Sequence, residues 1–133
     1  DTVHYWKPFA NCETYYYTDT TLSDGILMGT ICVIREEVDN KYLTFMGGDH
    51  PVAVVQTDTE GPTILVIKES YGNAFIPFLV DSYETVYVID YRKWDGHLAD
   101  FVTENSIDDV LFLNVVNTTS TSARLRELQS IIE

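Results

Sequence analysis

The stretch Thr63-Ile64-Leu65-Val66-Ile67-Lys68-Glu69-Ser70-Tyr71-Gly72 decides the fold of this chain. Its apolar run from Ile64 to Ile67 is short, rich in β-branched residues and uninterrupted, which is typical of a parallel strand covered on both faces. Residues 73–82 then space apolar side chains as in a helix, with Pro77 as a kink or early stop. The sequence therefore predicts a strand, a short helix, and Ser70 at their junction.

The same alternation recurs twice before the end of the chain. Residues 85–89 predict a second strand, followed by a helix that is capped near Asp95 and closes at Asn105. Residues 110–116 predict a third strand, and a polar connection leads to a last amphipathic helix. The apolar face of this helix comprises Leu125, Leu128, Ile131 and Ile132. Because such crossovers are right-handed, we expect three parallel strands whose carboxyl ends share one ligand-binding edge.

The first half of the chain has a different pattern. Residues 25–34 and 51–55 are strand-like, and turn signals lie at 39–40 and 46–51. Residues 15–20 are aromatic and polar without a clear period, so their class is left open. We expect one α/β domain over residues 1–133, with a β-rich segment at 1–62 and three strand-helix units at 63–133.

Composition excludes some classes of function. With eight Lys and Arg residues and a net charge of −13, the chain lacks the basic clusters that phosphate backbones require. We therefore predict no nucleic-acid partner. The sequence contains no run of about 18 apolar residues, so no membrane span is predicted. It opens directly on aromatic residues that belong to a fold, which suggests a fragment of a longer protein.

The two cysteines do not indicate a metal site. Cys12 and Cys32 have no C-x-x-C spacing, and two thiols fall short of the usual zinc ligand count. They are either a disulfide in a secreted protein or two ordinary core residues. No metal and no other cofactor is predicted.

Ser70 has two interpretations. Backbone N–H groups around Ser70 and Gly72, at the start of a helix, could form an oxyanion hole for a serine nucleophile. Serine is also a common helix N-cap, which is the simpler role. The local sequence is not a G-x-S-x-G elbow, because Lys68 replaces the first glycine, although Gly72 matches the second.

A serine nucleophile also needs a base, and the chain has three histidines. His97 falls in the first turn of a predicted helix, and His4 lies near the start of the chain. His50, in a loop beside Asp49, is the candidate base, with a structural loop residue as the alternative.

Other polar residues are predicted at the same edge of the sheet. Asp90 and Arg92 could bind a charged substrate group, and Asn73 and Asn114 could donate hydrogen bonds to an oxyanion. Arg92 could equally pair with a carboxylate, and asparagines are common in turns and caps. Asn117 lies in the same region.

Several segments together resemble the DHHW family, SGNH-like proteins of Gram-positive, often gut, bacteria. The matching segments are Gly47-Gly48-Asp49-His50-Pro51, residues 65–79, Val88-Ile89-Asp90-Tyr91-Arg92 and residues 109–113. The resemblance implies the C-terminal half of such a protein, a three-layer SGNH/flavodoxin-like parallel sheet, and Ser70 as nucleophile. It also implies an extracellular or cell-surface location and a layout similar to the alginate O-acetyltransferases.

The chain departs from this family at its signature. The Asp-His-His-Trp sequence is absent, and Glu69 precedes the serine where the family has Asp. The resemblance thus implies that the Asp and His of the catalytic set precede Asp1.

Three functional hypotheses follow. The first is an incomplete SGNH-like esterase or O-acetyltransferase that acts on an extracellular glycan through Ser70 and is inactive as this chain alone. The second is a non-catalytic surface module that binds carbohydrate or a protein partner through the same cleft. The third is a self-contained hydrolase that uses His50.

Overall fold

The computed structural model describes residues 2–32 and 39–133, except for the side chains of 118 and 119. These residues form a mixed α/β fold around a six-stranded sheet. The strands are β1 (Cys12–Tyr17), β2 (Ile26–Gly29), β3 (Val52–Thr57), β4 (Thr63–Lys68), β5 (Thr85–Asp90) and β6 (Asp109–Leu113). The α-helices are α1 (Leu98–Glu104), α2 (Val116–Thr119) and α3 (Ser122–Ile132).

The sheet is parallel on one side and antiparallel on the other, in the order β2-β1-β3-β5-β4-β6. Strand β4 pairs in parallel with both β5 and β6, which confirms the three parallel strands expected from the sequence. Strands β5, β3, β1 and β2 then pair antiparallel in turn. Strand β1 covers part of the aromatic segment 15–20, to which the sequence pattern assigns no class.

The central strand β4 is buried on both faces, as its apolar run predicts. Ile64 and Val66 point into one core, and Leu65 and Ile67 into the other, as the twofold period of a strand requires. Phe101 of α1 and Ile131 of α3 cover the second face. Residues of the loops and short helical turns, among them Phe45, Met46, Ile76 and Val80, cover the first.

The helix predicted after β4 is instead two 3-10 helices, Ser70–Ala74 and Ile76–Phe78. Their backbone hydrogen bonds join residues three apart, as from Phe75 N–H to the Gly72 carbonyl at 2.9 Å. Pro77 has no N–H to donate and lies in the first turn of the second 3-10 helix, where none is needed. The chain therefore never forms a continuous α-helix here.

The other element boundaries differ modestly from those predicted. Helix α1 begins after His97 rather than Asp95, and Asn105 closes it as predicted. The third parallel strand stops at Leu113, three residues early, and Val116 opens α2. In the last helix Ile131 and Leu128 pack into the core, whereas Leu125 and Ile132 are half exposed.

In the first half, the predicted strand at 25–34 corresponds to the short β2 and to an isolated bridge between Cys32 and Phe45. Its last two residues, 33 and 34, lie outside the described residues. Cys12 and Cys32 are free thiols, and burial raises the pKa of both. Across the described part of the chain, no helix is both long and apolar enough to cross a membrane.

Candidate active site

Three segments meet at one edge of the sheet. The parallel register pairs Lys68 with Asp90, so the turns after β4 and β5 leave the sheet side by side. Strand β3 runs antiparallel to β5 and pairs Val52 with Ile89, so the loop before β3 arrives at the same edge. Ser70, Arg92 and Asp49 thereby come from three distant parts of the sequence into direct contact.

The Ser70 hydroxyl is partly buried and is held by two charged side chains. It donates a hydrogen bond of 2.6 Å to Asp49 Oδ2 and accepts one of 2.9 Å from Arg92 Nη2. Hydrogen bonds with ionised partners are about twice as strong as neutral ones. The oxygen of this serine is therefore fixed in position at the carboxyl edge of the sheet.

Asp49 is the centre of this arrangement. Besides Ser70, its carboxylate accepts hydrogen bonds from Lys68 Nζ at 3.0 Å, Asn73 Nδ2 at 2.9 Å and Arg92 Nη2 at 2.8 Å. Burial acts to raise the pKa of Asp49, but the bonds from Ser70, Lys68 and Asn73 outweigh it and hold the pKa well below its ordinary value. This carboxylate stays ionised and is a poor proton acceptor at neutral pH.

Asp90 and Arg92 complete the network. The Asp90 side chain is fully buried and accepts from Arg92 through both guanidinium Nε and Nη2, at 2.8 and 2.5 Å. Lys68 Nζ, with its side chain 2% exposed, lies 3.7 Å from Asp90 Oδ2. These bonds to Asp90 raise the pKa of Arg92. Two carboxylates and two cations thus form a compact, formally neutral cluster, which we call the charge network: Asp49, Lys68, Asp90 and Arg92.

His50 lies beside the charge network but does not touch the serine hydroxyl. Its ring stacks on Tyr16 with centroids 4.2 Å apart, and its buried Nε2 has no hydrogen-bond partner. Burial lowers the pKa of His50, and the nearby Lys68 and Lys93 add to the effect. Among the described residues, no imidazole is hydrogen-bonded to Ser70.

Two of the predicted oxyanion residues have structural roles. The Gly72 N–H donates to the Glu69 carbonyl at 2.9 Å, so it does not project from the turn as an oxyanion donor would. A Cβ at Gly72 would lie 2.6 Å from Lys68 Cβ, so only glycine fits over the lysine. Asn73 is buried and donates its amide to Asp49. Both residues support the position of Lys68 and Asp49.

The two remaining predicted asparagines, Asn114 and Asn117, follow β6. Asn114 lines a cleft beside the turn after β4, and its buried Oδ1 has no hydrogen-bond partner. Glu69 is buried and accepts from the Val115 N–H at 3.1 Å, which ties the ends of β4 and β6 together. Asn117 lies in α2 and is exposed.

Sequence reasoning missed two members of the charge network. The sequence indicates Asp49 only as a neighbour of His50, and Lys68 only as a replacement for glycine in a serine motif. A signal for Lys68 was present, because a lysine at the end of an otherwise apolar buried strand needs a carboxylate partner. No three His, Cys, Asp or Glu side chains in the described ranges 2–32 and 39–133 form a group able to hold a metal ion.

Comparison with protein families matches residues 1–89 to the DHHW protein family. The chain belongs to the DHHW family. This match covers Asp49, Lys68 and Ser70, and it confirms the family resemblance that the sequence motifs suggested. No curated protein matches the chain.

Solved structures agree with this assignment. A DHHW family protein from Eubacterium siraeum is 30% identical, with a TM-score of 0.81, over 97% of this chain and 43% of that protein. Bacillus cereus PatB1 with a sulfonyl adduct is 21% identical, with a TM-score of 0.69, over 90% of this chain and 42% of that protein. A second PatB1 structure gives 21% identity and a TM-score of 0.65 over 84% of this chain and 38% of that protein.

The PatB1 comparisons show a shared fold. The DHHW chain described here spans less than half the length of each of these solved structures.

Proposed function

We propose that Ser70 is the nucleophile of an SGNH-like esterase or O-acetyltransferase that acts on an extracellular glycan. The observation that carries the proposal is the fixed hydroxyl of Ser70, which lies at the carboxyl edge of parallel strands, hydrogen-bonded to Asp49 and Arg92. PatB1, a protein of the same fold, has been solved with a sulfonyl adduct, and this supports a test of Ser70 with a sulfonylating reagent.

In this proposal the chain is the C-terminal part of a larger three-layer SGNH-like domain. Asp49 positions Ser70 rather than deprotonating it, because its lowered pKa makes it a weak base. The base is an imidazole supplied by another part of the longer protein. This is consistent with the absence of an imidazole bonded to Ser70 in the described ranges 2–32 and 39–133.

The chemical step follows from these roles. Ser70 Oγ attacks the carbonyl carbon of the ester while the base takes the hydroxyl proton. The C–O bond to the glycan breaks, and the proton passes to the leaving alkoxide. Water, or the hydroxyl of an acceptor, then gives its proton to the base and attacks the acyl-serine. The bond from the acyl carbon to Ser70 Oγ breaks, and the base returns the proton to Oγ. Arg92, with Nη2 2.9 Å from Oγ, places positive charge beside the reacting centre.

A sulfonyl fluoride tests the nucleophile directly. With the protein at full length, phenylmethylsulfonyl fluoride should add one sulfonyl group at Ser70, as an O–S bond forms and fluoride leaves. Mass spectrometry of peptides identifies the site. Ser70→Ala should abolish labelling and lower p-nitrophenyl acetate hydrolysis at least about 10³-fold. Ser82→Ala, at an exposed serine, is the matched control and should change neither.

Two outcomes would redirect the proposal. Full labelling and turnover by residues 1–133 alone, lost in His50→Ala, would favour a self-contained hydrolase. Glycan binding without labelling or turnover, unchanged by Ser70→Ala, would favour a binding module. The exposed ring of Tyr71, at 72% of its surface, is the observation that favours this second candidate.

A further inference from the structure

A cleft of about 150 Å³ lies between the turn after β4 and the end of β6. Glu69 and Tyr71, which flank Ser70 in sequence, both line it, and Asn114 lies on the opposite side. The charge network does not use this cleft, since Asp49, Lys68, Asp90 and Arg92 are not among its lining residues. Ser70 itself is also not a lining residue, so a molecule bound there would lie along the turn that carries the serine and would leave the network undisturbed.

One wall of the cleft is aromatic and exposed. Tyr71 is 72% exposed and Phe75 is 41% exposed, although both are large apolar rings. The backbone that carries Tyr71 is fixed, because the Tyr42 hydroxyl lies 2.9 Å from the Ser70 carbonyl and 3.0 Å from the Tyr71 carbonyl. An aromatic face on a fixed backbone is a surface on which a flat apolar face of a ligand can stack.

The opposite side of the cleft carries a hydrogen-bond acceptor that has no donor. Asn114 Oδ1 is buried and unpaired within the described structure. A buried acceptor without a hydrogen bond is unfavourable, so a ligand that donates to this oxygen gains affinity. Glu69 places a carboxylate in the same lining, and no lysine or arginine is among the described lining residues. The cleft therefore suits a neutral ligand that donates hydrogen bonds.

We propose that this cleft is a subsite for one neutral sugar ring of the glycan, which rests on the function proposed above for Ser70. The ring stacks on Tyr71, and rotation of the Asn114 side chain brings its buried Oδ1 to the cleft surface, where a sugar hydroxyl donates a hydrogen bond to it. An acyl chain would leave that oxygen unpaired, and an anionic sugar would meet Glu69 and a chain of net charge −13. The subsite holds the glycan so that a neighbouring esterified hydroxyl reaches Ser70.

Calorimetric titration of the full-length protein with chitotetraose and xylotetraose tests the subsite, because neither neutral sugar carries an O-acyl ester. We expect at least one to bind. Tyr71→Ala should weaken it about tenfold or more, whereas Tyr71→Phe should retain most of the affinity. Asn114→Leu should weaken binding several-fold, and Asn114→Asp, which keeps an acceptor, should weaken it less. Phe9→Ala, at a ring 99% exposed and outside the cleft, is the matched control.

The outcomes separate this inference from the nucleophile. Absence of binding to both sugars, or binding unchanged by Tyr71→Ala, overturns the subsite. Binding of butyrate with the same Tyr71 dependence, without sugar binding, also overturns it and indicates an acyl pocket. Sulfonyl labelling of Ser70 with no sugar binding would overturn the subsite and leave the proposed nucleophile supported. Sugar binding that needs Tyr71, without labelling, would support the subsite and overturn the nucleophile.

Discussion

The turn after β4 and the loop before β3 supply Ser70 and Asp49 to the same site by different routes. Ser70 follows a parallel strand directly, so local pattern and strand direction are enough to place it. Asp49 arrives through an antiparallel pairing between β3 and β5, which joins residues nearly forty positions apart, such as Val52 and Ile89. The first position depends on local sequence, whereas the second depends on long-range register.

The two segments also differ in how charge is buried. Lys68, at the end of β4, has almost no exposed surface, whereas Asp49 in the loop retains 21% of its side-chain surface. When a fully buried charged group is removed, water cannot readily reach the counter-charges that it leaves unpaired. When the group removed is partly exposed, water can hydrate the charges left behind. We therefore expect substitutions on the strand to lower the free energy of unfolding more than substitutions at the rim of the site.

The largest effect is expected for Lys68→Met. It leaves Asp49 without its 3.0 Å partner and removes the cation 3.7 Å from fully buried Asp90. Loss of one member of a buried ion pair typically costs about 3–5 kcal/mol, which urea unfolding would measure. Lys93→Met, at an exposed lysine that bonds to the Asp49 carbonyl, is the control and should cost less than about 1 kcal/mol. Equal losses for the two variants would contradict the strand and rim distinction.

A smaller effect is expected for Arg92→Lys, at the rim of the charge network. Arginine bonds to Asp90 through two nitrogens and also reaches Asp49 and Ser70, whereas an ammonium cannot reproduce this fork. Loss of charge-assisted bonds should lower the free energy of unfolding by about 1.5–3 kcal/mol.

The control for that substitution is Arg124→Lys. Arg124 pairs with Glu127, three residues away on α3, at 2.6 Å, and the two side chains remain 37% and 40% exposed. Such surface helix pairs contribute about 0.2–0.5 kcal/mol, so this variant should be nearly unchanged in urea. If Arg92→Lys is as mild as Arg124→Lys, the fork geometry at Asp90 contributes little to stability.

The difference between the two segments also explains what the sequence could predict. The β4 strand, the parallel β5 and β6, and the edge position of Ser70 follow from apolar runs and from the handedness of crossovers. Pro77 predicted a kink or early stop in one helix, but not its replacement by two 3-10 helices. Strand β1 could not be assigned, because its aromatic and polar residues have no clear period.

The candidate site was predictable only in part, for the same reason. Ser70, Asp90 and Arg92 were placed at one edge by topology, but the role of Arg92 depends on the contacts that it makes with Asp49 and Asp90. The stacking of His50 on Tyr16 joins a loop to a strand that local pattern did not reveal. Long-range register, and not composition, decides these contacts.

The smallest effect is expected for His50→Gln, seen as a change in pH dependence. Burial lowers the folded-state pKa of His50 below its unfolded value of about 6.5. As pH falls below that value, the unfolded chain takes up the proton first, so stability is lost until the pH reaches the folded-state pKa. The loss is at most about 1.4 kcal/mol for each unit by which the folded pKa lies below the unfolded one. Urea unfolding from pH 7.5 to 5 should show a shallower fall for His50→Gln than for the unsubstituted protein. An unchanged slope in His50→Gln would contradict the burial argument.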